Sequence, residues 1–295
     1  MSELVAPGPG RLDAVVASAL GLPRADVQRA IAAGSVTVDG TVRSKSHRLA
    51  GGERIEVDLG PVTDLPAAGE PVELRYRDEH LAVVSKPAGV VTHPTAGRRG
   101  GTLVNRLLAM GLPLAPAGGP LRPGIVHRLD VGTSGLLVVA CDDATYAALR
   151  DRFRHHEVDR RYLALVRGRT THDRFVVDAP LGRRGADVRV DQSRGRAAAT
   201  EATVRERFPR ATLLEVAPRT GRTHQIRVHL AAIGHPVLGD ARYGGGGEDA
   251  AALGLGRPFL HSWRVAFDHP MTGERIELED PLPADLVEAL ARLRG

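Results

Sequence analysis

The chain has 295 residues, 42% hydrophobic and 25% charged, with one cysteine, Cys141. That composition suits a packed core and is wrong for a wholly disordered chain; the length fits one large domain or two unequal ones. A lone cysteine excludes an internal disulfide framework and a thiolate-built structural zinc site. The longest aliphatic run, residues 136–141, is far short of the ~20 residues of a membrane helix. The opening MSELVAPGPG has no basic stretch of the kind a signal peptide carries, so the sequence reads as soluble and cytoplasmic, with a monomer as the default.

Charge is distributed unevenly. The formal net charge is +5, but residues 150–230 hold 19 arginines and 10 acidic residues, a local +9, leaving −4 elsewhere. Of 40 basic residues 38 are arginine, the lysines being Lys45 and Lys86. Guanidinium groups pair bidentately with phosphate and stack on bases, so the cluster points to a nucleic-acid partner. Compositional bias accounts equally well for the arginine-to-lysine ratio, but less readily for the clustering.

In chain order, residues 1–58 form a first unit. Leu12, Val15, Val16 and Ala19 follow helical spacing, as do Val27, Ala30 and Ile31; strands at 36–38 and 54–57 come next, with a turn at Asp39-Gly40. Residues 59–71, rich in Pro, Gly and small residues, read as a linker. The second unit, 72–295, has strand-like runs at 81–84, 136–140, 162–166 and 213–216, and a loop at 111–123 expected to cross the surface. A helix over 144–154 places Leu149 and Phe153 together. Another over 223–233 aligns Ile226, Leu230 and Ile233, with Thr223 as its expected N-cap. Hairpin-like pairs with few helices argue an α+β fold rather than alternating βαβ units.

Two segments carry chemistry. In residues 123–140, Asp130 lies between His127-Arg128 and a Gly-Thr-Ser-Gly turn, just before an apolar strand that would hold it at a cleft rim. The plainer alternative is that its carboxylate only caps the turn. An aspartic-protease site needs a second Asp-Thr/Ser-Gly, and the chain has none. In residues 218–230, Arg219, Arg222 and Arg227 gather with His224 and Gln225 where a glycine turn opens a helix. Such a place receives an anion, either a phosphate or the carboxylate of Asp130; a solvated basic face is the alternative. No metal-ligand spacing, P-loop, dinucleotide fingerprint or serine-nucleophile elbow is present.

His127-Arg128-Leu129-Asp130 with Thr133-Ser134-Gly135-Leu136-Leu137 resembles the signature of the RluA/RluD family of RNA pseudouridine synthases. The resemblance extends through Lys86-Pro87-Ala88-Gly89, Tyr162-Leu163-Ala164-Leu165-Val166, Thr220-Gly221-Arg222-Thr223-His224-Gln225-Ile226-Arg227 and the segment from Gly234 to Asp240. Residues 11–58 resemble an S4 RNA-binding domain, although with only seven basic against six acidic residues. The resemblance implies a mixed, largely antiparallel catalytic sheet and conversion of uridine to pseudouridine in structured RNA, with large-subunit ribosomal RNA as the leading target, without a cofactor or metal. It implies catalytic Asp130, with Tyr162 packing on the target base and Arg222 holding the aspartate. Arg128, His127, Arg219 and Arg227 would bind substrate; for His127 a structural hydrogen bond in the loop is an equal alternative. Arg24, Gln28, Arg29 and Lys45 would present the small domain to RNA. A non-catalytic RNA-binding or ribosome-assembly protein, a synthase acting on tRNA, and a carboxylate-dependent hydrolase are the alternatives. Val131-Gly132 and the stretch 184–196 depart from the family pattern.

Overall fold

Asp39 and Gly40 both have positive φ (48° and 73°), as a two-residue hairpin loop requires, and Val38 pairs with Thr41 across them. In the computed structural model, which describes residues 2–20, 24–58, 65–95, 98–185 and 187–295, this hairpin belongs to a small N-terminal unit. Its elements are β1 (Ser2–Val5), β2 (Gly10–Arg11), α1 (Leu12–Ala19), α2 (Arg24–Ala32), β3 (Val36–Val38), β4 (Thr41–Val42), β5 (Arg48–Leu49) and β6 (Arg54–Val57). The four-stranded sheet runs β1-β6-β3-β4, and Leu12, Val16, Val27, Ile31, Val36 and Ile55 are buried against it.

One polar group is buried with them. Asp13 of α1 is fully buried and accepts hydrogen bonds from Arg11, from Arg24 (2.9 and 3.0 Å) and from Gln28 (2.6 Å). Arg24 and Gln28, expected to face RNA, therefore tie α2 to α1: a buried carboxylate needs such partners. Lys45 is exposed, and the Arg29 side chain lies outside the described residues.

The larger unit comprises β7 (Glu73–Arg77), β8 (Leu81–Lys86), α3 (Leu103–Ala109), β9 (Ser134–Ala140), α4 (Asp143–Arg154), β10 (Asp159–Arg167), β11 (Arg174–Asp178), β12 (Leu181–Arg184), β13 (Asp187–Val190), β14 (Ala199–Arg207), β15 (Ala211–Pro218), α5 (Gln225–Ala232), α6 (Glu248–Ala252), β16 (Leu260–Asp268), β17 (Arg275–Glu279) and α7 (Ala284–Arg294). The main sheet runs β11-β14-β15-β10-β16-β9-β8-β7, with β17 also on β16. Its ladders are antiparallel except β16 with β9, which is parallel. A mixed, largely antiparallel α+β sheet is thus what the chain builds. Every residue of β9 is buried, which explains its unbroken apolar run from Leu136 to Ala140.

The parallel junction is tight. Gly135 has φ of 108°, and a Cβ there would fall well inside van der Waals contact with the Ser262 carbonyl. Across it Gly135 pairs with Ser262, which pairs with Tyr162 of β10, so three strands are in register at the site end of the sheet.

Several local expectations are corrected. Residues 59–64 of the linker lie outside the described residues, but its second half packs on the larger unit. Leu65 and Val72 are buried in the core of that unit, and Asn105 of α3 donates to the Pro66 carbonyl (2.8 Å). The 111–123 loop buries Leu112, Leu114 and Ala115 rather than simply crossing the surface. Helix α5 is capped by His224 in the left-handed region, not by Thr223, and ends at Ala232, leaving Ile233 exposed. Among the described residues no helix is long and apolar enough to cross a membrane.

Gly135→Ala should cost about 3 kcal/mol, since backbone rather than a flexible side chain must move; a denaturation loss below ~1 kcal/mol would contradict this. Asp13→Asn should destabilise the small unit by about 1–3 kcal/mol, read by hydrogen exchange over α1 and α2. The bonds from Arg11 and Arg24 outweigh burial and lower the Asp13 pKa in the folded chain. Its contribution is therefore complete above the ordinary aspartate pKa of ~3.9 and is lost as pH falls below it, a dependence the Asn variant should lack.

Candidate active site

Asp130 ends a short segment braced on both sides before the chain enters β9. Thr92 Oγ1 donates to the Leu129 carbonyl (2.8 Å) and accepts from the Leu129 amide (3.3 Å); the Gly89 amide donates to the Val131 carbonyl (2.7 Å). The Thr133 amide closes the turn on the Asp130 carbonyl (3.1 Å). Below it, Arg257 donates to the Gly132 carbonyl and Ser134 Oγ while paired with Asp285 of α7. The Lys86-Pro87-Ala88-Gly89 segment is part of this brace: the buried Lys86 ammonium donates to the carbonyls of Pro87 and Val90 (both 2.9 Å). Burial pushes the Lys86 pKa down to about 7 while Asp130 opposes the shift.

The carboxylate faces α5. Arg227 Nη1 donates to Asp130 Oδ2 (3.1 Å), and the rest of its guanidinium is clamped by buried Asp240 through Nε (2.6 Å) and Nη2 (2.8 Å). Burial works against the charge on Arg227, but Asp240 and Asp130 raise its pKa, so it stays a cation. Such a bidentate pair fixes orientation as well as charge. His224 completes this wall, its Nε2 4.0 Å from Asp130 Oδ1 and its Nδ1 2.7 Å from the Tyr243 hydroxyl; burial lowers its pKa. The turn from 220 to 224 is pinned by buried Gln225, which accepts from Thr220 Oγ1 (2.5 Å) and the Arg222 amide (3.0 Å) and donates to the Ala199 carbonyl (2.9 Å).

A cleft opens over these groups, lined by Arg128, Asp130, Arg160, Tyr162, Arg222, Arg227 and the apolar Ile226, Pro218 and Leu260. Tyr162 is buried, bonded to Ser262, and burial raises its pKa, so its phenol stays neutral. Arg128 stands exposed at the rim.

Two expected pairings differ. The guanidinium on Asp130 is that of Arg227; Arg222 instead turns its Nε to the Ala197 carbonyl (3.2 Å), because it precedes α5 in the turn while Arg227 lies on the helix's inner face. Arg219 is exposed and paired with Glu201 on the neighbouring strand, away from the cleft lining. His127 makes the hydrogen bond in the loop that was one of its two expected roles: its Nε2 accepts from the Val138 amide (2.9 Å) and its ring stacks on Phe153 at 4.4 Å. Burial, aided by Arg160, pushes it down to about 3, so it is neutral. Asp240, Tyr243 and Arg160 are site groups to which the sequence assigned no role. Asp240 lay within a motif already singled out, but nothing in one sequence shows that it meets Arg227.

A carboxylate ion-paired at the floor of a cleft rimmed by arginines places one acidic group where an anionic ligand can be held around it. The family model for RNA pseudouridylate synthase matches residues 80–232, and that for the S4 domain matches residues 10–55. An uncharacterised RNA pseudouridine synthase of Mycobacterium bovis is 41% identical over 97% of this chain and 94% of its own length. Ribosomal large subunit pseudouridine synthase D of Nitrosomonas europaea is 40% identical over 88% of this chain and 77% of its own. Among solved structures, human RNA pseudouridylate synthase domain containing 1 superposes with a TM-score of 0.58 at 28% identity, covering 73% of this chain and 86% of that one. The chain therefore belongs to the RNA pseudouridylate synthase family and carries an S4 domain at its N-terminal end.

Burial makes His224 neutral near pH 7 and Asp130 partly offsets that. Asp130→Asn should therefore lower the His224 pKa further, as followed by NMR titration of the imidazole; a rise would show that the charge facing it is misassigned.

Proposed function

We propose that the protein converts uridine to pseudouridine in large-subunit ribosomal RNA, with Asp130 acting directly on the nucleoside. The observation that carries this reading is the Asp130–Arg227 ion pair, 3.1 Å long, at the floor of the arginine-rimmed cleft. The isomerisation breaks the bond from ribose C1′ to uracil N1 and forms one from C1′ to C5. The C5 hydrogen leaves as a proton and N1 gains one, so no net oxidation occurs. That chemistry asks for an ionised carboxylate held in one place, and the Asp240 clamp on Arg227 supports it. Tyr162, neutral and buried beside the aspartate, packs on the uracil face. Arg128, at the rim, occupies the space left when the uridine leaves its stack, since the reacting atoms are out of reach inside a helix. Arg222 holds backbone phosphate at the cleft mouth rather than the aspartate. The ribosomal target is supported by the large-subunit relative of Nitrosomonas europaea.

The exposed arginines of the β12–β13 hairpin and the loop after it, Arg183, Arg184, Arg189, Arg194 and Arg196, extend the basic surface. They grip phosphate as part of the catalytic domain, with the near-neutral S4 domain adding aim.

The test is release of tritium from uracil C5 of ribosomal RNA. Wild type should release label, Asp130→Asn about 10³-fold less or none, and Arg227→Lys about 10²-fold less in kcat with RNA affinity little changed. Release only from tRNA would redirect the substrate, and equal release by Asp130→Asn would overturn the mechanism. Binding should weaken steeply with salt, and replacing Arg183 and Arg184 by alanine should reduce the logarithmic salt slope by about 1 per residue.

A further inference from the structure

Beside the cleft lies a second cavity of about 290 Å³, just under the ~300–1,000 Å³ typical of ligand pockets. Arg128, Arg160 and Gly221 line both, so the two spaces share a wall. The groups belonging to the second alone include Arg122, Val126, His127 and Phe153. Among the described residues that line it there is no carboxylate. Its wall is planar and cationic: His127 stacks on Phe153, and the Arg160 guanidinium lies 5.5 Å from the centre of the same ring.

Two polar atoms of this wall are not satisfied by the described residues. His127 Nε2 accepts from the Val138 amide, so in the neutral ring the proton sits on Nδ1, which makes it a donor. That Nδ1 and the Arg160 Nε are buried without a hydrogen-bond partner among the described residues. Buried donors without acceptors are costly, and an acceptor-rich ligand drawn into the wall relieves them. Planar rings, guanidinium planes and orphan donors together match an unstacked nucleobase with its phosphate, because RNA bases splayed from their strand stack on aromatic and arginine planes.

We propose that this cavity receives a nucleotide flanking the target uridine, its base against the His127–Phe153–Arg160 wall and its phosphate toward Arg122 and Arg128. The assignment rests on the reading of the neighbouring cleft as the uridine site. It makes the cavity a determinant of which uridine is chosen: the target must sit beside a nucleotide that can also leave the stack.

Two measurements test it. Val126→Trp, which fills the cavity, and Arg122→Ala, which changes its charge with little steric demand, should each raise the KM for C5-tritiated ribosomal RNA about tenfold with kcat within about twofold, the scale of one lost base stack. Photo-crosslinking of the wild-type protein to the same RNA carrying 4-thiouridine next to the converted position should label residues 122–127 or Phe153. Tritium release with an unchanged KM in both variants and crosslinks only elsewhere overturns the cavity assignment. A crosslink at the cavity from RNA that releases no tritium supports the cavity as an RNA site and overturns the isomerase reading instead.

Discussion

The site depends on one buried cation. Arg227 is taken out of water into the protein, where a lone guanidinium costs several kcal/mol, and it stays because two carboxylates from distant parts of the chain meet it. Asp240 takes two of its nitrogens, which sets the plane of the group and leaves Nη1 directed at Asp130. The aspartate is therefore located from both ends: its backbone by Thr92, Gly89 and Arg257, its side chain by an arginine that is itself immobilised. Gln225, holding the turn ahead of α5, keeps that helix where the clamp can form.

How far the sequence showed this depends on the kind of contact. Elements whose burial is continuous or periodic were legible: β9, inside the sheet, is apolar from Leu136 to Ala140, and α4 carries Leu149 and Phe153 on the face that packs into the core. The position of Asp130 at a cleft was legible because a turn and a buried strand come directly after it. The choice between Arg222 and Arg227 was not. Both sit near the glycine turn, and what separates them is the left-handed His224, which sets the phase in which α5 begins and puts Arg227 on its buried side. A side chain's phase after an irregular residue is not encoded in spacing alone. The same applies to Asp13: a carboxylate in a first helical turn is ordinarily read as a solvent-facing dipole partner, and here three partners carry it into the core.

The arginine surplus takes on a different meaning once its members are placed. Several of the arginines between 150 and 230 are neutralised on the sheet surface, Arg161 by Asp159, Arg207 by Asp173 and Arg219 by Glu201. Charge still open to a partner includes the arginines at the cleft rim and on the β12–β13 hairpin. Arginines at the rim of the Asp130 cleft are among those left open, so an approaching polyanion is attracted there more strongly than the net charge suggests.

The parallel register between β9 and β16 joins residues 127 positions apart, Ser134 and His261. Asp130, Tyr162 and Arg227 all precede β16 in the chain, but β16 is the strand that lies between the one leading from Asp130 and the one bearing Tyr162. A nascent chain that has already made all three residues therefore still has no site. High sequence separation of this kind slows closure, so the cleft is completed only once β16 has been made and has paired with both neighbours.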